Sequence, residues 1–127
     1  FNISGDDDTI IKIEIKNLIK ESDKNKEDFI LSIRSEKTTK NLVVEDNQVA
    51  SQIEIIHNIK YELFSIVKAC NIDERKVITI SEYNIKSSGY DFGSDISKNN
   101  IVKENITKNI NEYINFLDFS LDNLGCV

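Results

Sequence analysis

Proline, methionine and tryptophan are absent from the 127 residues, histidine occurs once, cysteine twice and glycine four times. Without proline, turns and helix ends fall to Gly, Asn, Asp and Ser. A lone histidine rules out a two-histidine metal site, and two cysteines 56 residues apart set no disulfide framework. There is no CxxC pair, no Gly-rich phosphate loop and no nucleophile elbow. No apolar run approaches the roughly 20 residues that a membrane-crossing helix needs. Sixteen Lys and Arg against 22 Asp and Glu give a net charge of -6. That balance, with the cations scattered among acids, argues against a protein that works by neutralising nucleic-acid phosphates. A chain that opens at Phe1 and holds no methionine reads as a processed or truncated piece, from which a signal peptide or lipid anchor would already be gone.

What is present is a globular composition, 39% hydrophobic and 30% charged, of a length that makes one domain over 1–127. A chain of this size buries about two-thirds of its unfolded surface, so it folds without metal or disulfide. Isoleucine and asparagine are overused (22 and 15 residues), a skew that an A/T-rich genome writes, so each carries less information than usual.

Residues 1–8 read as an extended start closed by the polar turn Asp6, Asp7, Asp8. In 9–19, Ile11, Ile13 and Ile15 alternate with Lys12, Glu14 and Lys16, the period of a half-buried strand. Phe29, Leu31 and Ile33 alternate again, and the two segments predict an antiparallel hairpin. From about residue 45 the period changes. Val49, Ile53, Ile56, Leu63, Val67 and Cys70 fall at three- and four-residue steps, which predicts a helix ending at Asn71 in the αL conformation. Residues 77–85 are rich in β-branched side chains and read as a third, central strand. A weak strand is expected over 96–106, and Ile106, Ile110, Tyr113, Ile114, Leu117, Leu121 and Leu124 form a second helical stripe stopped by Gly125. The predicted class is therefore α+β: an antiparallel-rich sheet with two helices packed on one face.

Few groups offer chemistry. His57 reads as an ordinary residue at a helix edge, and the Asp6 to Asp8 triplet lacks the alternation of a calcium loop, so neither a catalytic group nor a metal or other cofactor is implied. Cys70 and Cys126 each end a predicted helix and are expected as two buried thiols; the alternative is a disulfide between them. Asn2-Ile3-Ser4 and Asn105-Ile106-Thr107 match the glycosylation sequon, at a frequency that chance explains in an Asn-rich chain. Phe116 and Phe119 lie off the second stripe and share a helix face, a candidate interaction surface.

The chain resembles the SIMPL domain family, the domain of unknown function 541. Phe1-Asn2-Ile3-Ser4-Gly5 is similar to the family's opening extended segment and glycine turn. Residues 63–79 resemble its helix, polar turn and Asp-Ile-x-Thr strand, with Asn71-Ile72 standing where Gly-Ile usually stands; Tyr83 and Gly89-Tyr90-Asp91-Phe92 follow, and residues 110–118 leading to Leu124-Gly125-Cys126 resemble the second helix. The family's Pro-Asp after the first strand is missing, and so are its later strand and long helix, so the chain reads as a truncated SIMPL-like domain. The resemblance implies a secreted or envelope-associated bacterial protein, often self-assembling, with no established catalytic residues. The expected function is a non-enzymatic extracytoplasmic module acting on itself, as a homo-oligomer through sheet edges and the Phe116/Phe119 face, or on another protein. The competing reading is a small acidic intracellular inhibitor or immunity-type protein that covers a basic site on its target.

Overall fold

The computed structural model describes residues 1–18, 29–44, 50–84, 91–120 and 125–127. In chain order these form β1 (Asn2–Gly5), α1 (Asp8–Leu18), β2 (Phe29–Val44), β3 (Ala50–Ser65), β4 (Cys70–Asn84) and α2 (Asp91–Ser120). The fold is α+β, with one four-stranded sheet in the order β1-β2-β3-β4. The sheet is mostly antiparallel: β2 pairs with β3, and β3 with β4, in antiparallel register. Its one parallel pair is β1 with β2, joined through α1, as parallel neighbours require a crossover.

Four expectations change. The predicted strand over 9–19 is, up to Leu18, the helix α1, because its buried residues are Ile11, Glu14 and Ile15, at helical spacing, with Ile10 and Leu18 partly buried beside them. Ile13, the residue that suggested alternation, is 54% exposed. Asp8 opens this helix: its carboxylate accepts the Thr9 backbone N–H at 2.8 Å, where negative charge also suits the helix dipole. Where a helix is predicted from about residue 45 to 70, the described residues form strand β3 (Ala50–Ser65) and the turn after it. Its residues 55, 57, 59, 61, 63 and 65 are all buried, a strict period of two that the three- and four-residue stripe passed over. It follows that residues 63–70, a helix end in the SIMPL-like reading, are the end of β3 and its turn into β4. That turn takes its positive φ at Ala69 (55°), and Asn71 lies in β4. Finally, β4 is an edge strand, with β3 central in its place, and 96–106 belongs to α2.

One core serves all elements. Ile11 and Ile15 of α1, Val102, Ile106, Ile110 and Tyr113 of α2, and the inward residues of β2, β3 and β4 form a single buried cluster. The start of the sheet is fixed by close backbone contact. Gly5 has φ of +95°, and a Cβ there would run into the Ser35 backbone, while Asp6 N–H donates to the Ser35 carbonyl at 2.9 Å and Lys37 N–H to the Asp6 carboxylate at 2.8 Å. Gly5→Ala is therefore expected to cost about 2 kcal/mol or more, since both the space and the dihedral exclude a side chain. Ala69→Gly, which removes a left-handed alanine, is expected to stabilise by about 1 kcal/mol. Urea unfolding of the two variants measures both signs.

Candidate functional site

The structure brings together the residues the sequence left apart. His57 sits on the inward face of β3 with no solvent exposure. Its Nε2 lies 3.0 Å from Asp7 Oδ2, and its Nδ1 lies 2.7 Å from Asn105 Nδ2. The amide orientation of Asn105 follows from its other partners: Nδ2 donates to the Thr79 carbonyl at 3.0 Å, and Oδ1 accepts from Ser81 Oγ at 2.9 Å. A carbonyl can only accept, so Nδ2 faces His57 as a donor, Nδ1 is the acceptor, and the Nε2–H tautomer donates to Asp7. Asp7, at φ 58°, also pairs with Lys37 Nζ at 3.2 Å. The three consecutive aspartates are thus divided among Lys37 N–H, His57 with Lys37 Nζ, and Thr9 N–H. Among the described residues no group of three or more His, Cys, Asp or Glu is placed to hold a metal. A histidine buried this fully, with both nitrogens bonded inside the chain, reaches no substrate; its work is to join the β1–α1 turn to β3 and α2.

One helical turn on, Asn109 repeats the device. Its Nδ2 donates to the Val77 carbonyl (2.9 Å) and Thr79 Oγ1 (3.0 Å), and its Oδ1 accepts from the Tyr61 hydroxyl at 2.6 Å. Tyr61 stacks on Tyr113, with ring centroids 4.0 Å apart and planes within 7°. Burial raises both phenols above the ordinary tyrosine range. Nearby, Asp73 is buried close to the Tyr113 hydroxyl, and among the described residues neither its Oδ2 nor that hydroxyl has a well-formed hydrogen bond. Burial pushes the Asp73 carboxyl up from its usual range, against the pull of the Arg75 guanidinium.

Cys70 and Cys126 are joined by a disulfide, with Cα atoms 5.8 Å apart. The bridge, together with a hydrogen bond from Val127 N–H to the Asn71 carbonyl (2.9 Å), ties the end of the chain to the start of β4. Phe116 is half-buried, and the Arg75 guanidinium lies 3.3 Å over its ring, so that ring is engaged within the chain. The side chain of Phe119 lies outside the described residues.

The remaining surface of interest is the side of the sheet away from the core. Register sets its side chains in cross-strand rows: Ser32, Glu62 and Glu74; then Arg34, Lys60 and Lys76; then Glu36, Asn58 and Ile78; then Thr38, Ile56 and Ile80; then Lys40, Glu54 and Glu82. Three cations side by side are unfavourable within a row, and the neighbouring acids relieve them, Lys60 pairing with Glu62 at 3.0 Å. Ile78 and Ile80 are 55% and 47% exposed. Two shallow concavities are lined by mixed polar and charged side chains: one of about 810 Å³ along α2, with Lys103, Glu104 and Asn111, and one of about 570 Å³ beside β1, with Lys12, Arg34, Lys60 and Glu62.

No family model matches the chain, and no curated protein is similar to it in sequence. Solved structures do share its fold. A candidate lipoprotein from Caulobacter crescentus CB15 superposes with a TM-score of 0.69 at 6% identity, over 96% of this chain and 88% of that one. The rare lipoprotein B from Shewanella oneidensis gives 0.65 at 11% identity, over 96% of each chain. At such identities the likeness is one of fold. Among the described residues no helix is long and apolar enough to cross a membrane.

Two measurements probe the buried network. Asn105→Ala strips four polar partners and is expected to cost on the order of 3 kcal/mol in urea unfolding. Asn105→Asp keeps the shape but sets an acceptor against the Thr79 carbonyl and His57 Nδ1, and is expected to be no better. For Asp73, a carboxyl whose pKa is raised by folding binds its proton more readily in the folded chain. Its cost is therefore absent below the ordinary carboxylate range and complete above the raised value. Asp73→Asn is expected to stabilise the protein at pH 7, with the advantage over the parent vanishing by about pH 3.

Proposed function

We propose that the chain is a non-enzymatic, extracytoplasmic module of the bacterial envelope, lipoprotein-like in fold, that acts by binding a second copy of itself or another protein. The observation that carries this reading is the Cys70–Cys126 disulfide on a fold shared with two lipoprotein chains. Disulfides persist in oxidising compartments, the periplasm and cell surface among them, and are rare in the cytosol. The chemistry of the site supports the non-enzymatic part. Its histidine and aspartates are committed to internal hydrogen bonds, and the accessible surfaces carry extended rows of charge and isoleucine, which suit contact with another surface better than enclosure of a small substrate.

In the chain-entropy account, a bridge across 56 residues contributes about 4 kcal/mol, so reduction is expected to lower the melting temperature markedly. The decisive experiment is made in the source cells. They are quenched in acid, and their thiols are labelled with a maleimide polymer before and after reduction, alongside fractionation. Oxidised cysteines in the envelope or periplasmic fraction are the expected result. Free thiols in the cytoplasm would reject this reading and favour the acidic intracellular inhibitor.

A further inference from the structure

The outer face of the sheet has a symmetry of its own. Ile78 and Ile80 of β4, with half-buried Ile56 of β3 beside Ile80 and Asn58 beside Ile78, make a mainly apolar strip two rows wide. The row before the strip carries Lys60 and Lys76, and the row after it carries Glu54 and Glu82. A two-fold axis lying parallel to the sheet, running across the strands between the Ile78 and Ile80 rows, sets Ile78 over Ile80 along β4, Ile56 over Asn58 along β3 and Glu36 over Thr38 along β2. The same operation sets Lys60 over Glu54 and Lys76 over Glu82 of a second copy, each pair occurring twice. On β2 it brings Arg34 towards Lys40, both exposed at the rim, where long side chains reach water and charge pairs count for little.

We infer that this face is a self-complementary interface through which two copies of the chain stack sheet on sheet. The inference rests on the binding reading above and names its partner. A two-fold contact requires one patch to be complementary to itself, and a central apolar strip with a charged rim is the anatomy of specific interfaces. The alternative axis, between the Glu62 and Lys60 rows, also matches charge with charge. It sets Ile30 against Glu36 and Phe64 against Asn58, however, and pairs neither with an apolar partner, whereas the first axis makes two Ile78–Ile80 contacts and leaves only Ile56 facing an amide. At about 3.3 Å per residue and 4.8 Å per strand, three strands from residue 34 to 40 span about 23 by 14 Å. That footprint is well under the roughly 800 Å² per partner of stable complexes, so the dimer is a weak one. Its dissociation constant is expected on the order of 100 µM.

Sedimentation velocity of the oxidised protein from about 10 µM to 1 mM tests this, with dimer expected to accumulate through that range. Ile78→Ser/Ile80→Ser is expected to stay monomeric with an unchanged circular dichroism spectrum, since both residues are exposed. Lys60→Glu/Lys76→Glu alone and Glu54→Lys/Glu82→Lys alone are each expected to be monomeric, and an equal mixture of the two is expected to form dimer. A wild-type monomer at 1 mM, a dimer that survives the serine pair, or a mixture that fails to associate would each overturn the interface. Failure here leaves the compartment reading intact, because that reading stands or falls on the thiol labelling.

Discussion

Burial of one side of β3 is the constraint that places everything else. The strand is paired along its length on both sides, and its odd-numbered residues from Ile55 to Ser65 all point into the core. Ile55, Ile59, Tyr61 and Leu63 each bring roughly 2 kcal/mol of burial, and only a helix laid along the strand covers them together. That helix is α2, whose Ile106, Ile110 and Tyr113 meet the strand at the matching helical period. With α2 in place, α1 has one apolar neighbour to pack on, and Ile11 and Ile15 do so. β1 then needs its crossover through α1 to pair in parallel with β2.

The same strand carries the polar problem of the core. His57 falls on the inward face simply because 57 is odd, and a buried imidazole must have partners for both nitrogens. Asp7 and Asn105 provide them, and each is positioned by the element that needed it: Asp7 by the Gly5 turn, Asn105 by the α2 stripe. Asn105 and Asn109, one turn apart, use their remaining donors on the carbonyls of Thr79 and Val77. The polar groups therefore fix register as well as contact, since a one-residue slip of β4 would take the Thr79 carbonyl and Ser81 from Asn105 and the Val77 carbonyl and Thr79 hydroxyl from Asn109.

This explains which parts were legible in the sequence. In a chain with 22 isoleucines, both helical and strand periods can be drawn through most segments. The stripe from Val49 to Cys70 passes over Ile55, Ile59 and Tyr61, which are fully buried, and the alternation in 9–19 rests on Ile13, which is not. The C-terminal helix was readable from Ile106 onwards because few apolar residues compete off its stripe. Asn105 and Asn109 sit on that stripe too, but abundant asparagine hid them. The contacts of His57 lie 50 and 48 residues away, and no spacing in the sequence signals them. The Cys70–Cys126 pair was open for a related reason. With Cys70 at the end of a helix, two chain geometries were possible, whereas Cys70 at the start of β4 lies where the chain returns after α2.

The two sides of the sheet differ in kind, and so do its edges. β4 is a long edge strand, which in isolation would invite pairing in the plane of the sheet. Here that edge is occupied at both ends. The disulfide-tethered tail bonds the Asn71 carbonyl, Lys108 of α2 bonds the Ile80 carbonyl at 3.1 Å, and Glu74, Arg75 and Lys76 put three consecutive charges along the strand. On the opposite side β1 covers β2 only from Ser32 to Ser35, and beyond it β2 carries Glu36, Lys37 and Lys40 along its edge. Extension of the sheet strand by strand is thus opposed by charge and by existing hydrogen bonds, while the outer face of the same strand leaves Ile78 and Ile80 in water. A weak association of this protein therefore gains most by stacking on that face, where apolar area can be covered without breaking a hydrogen bond already made.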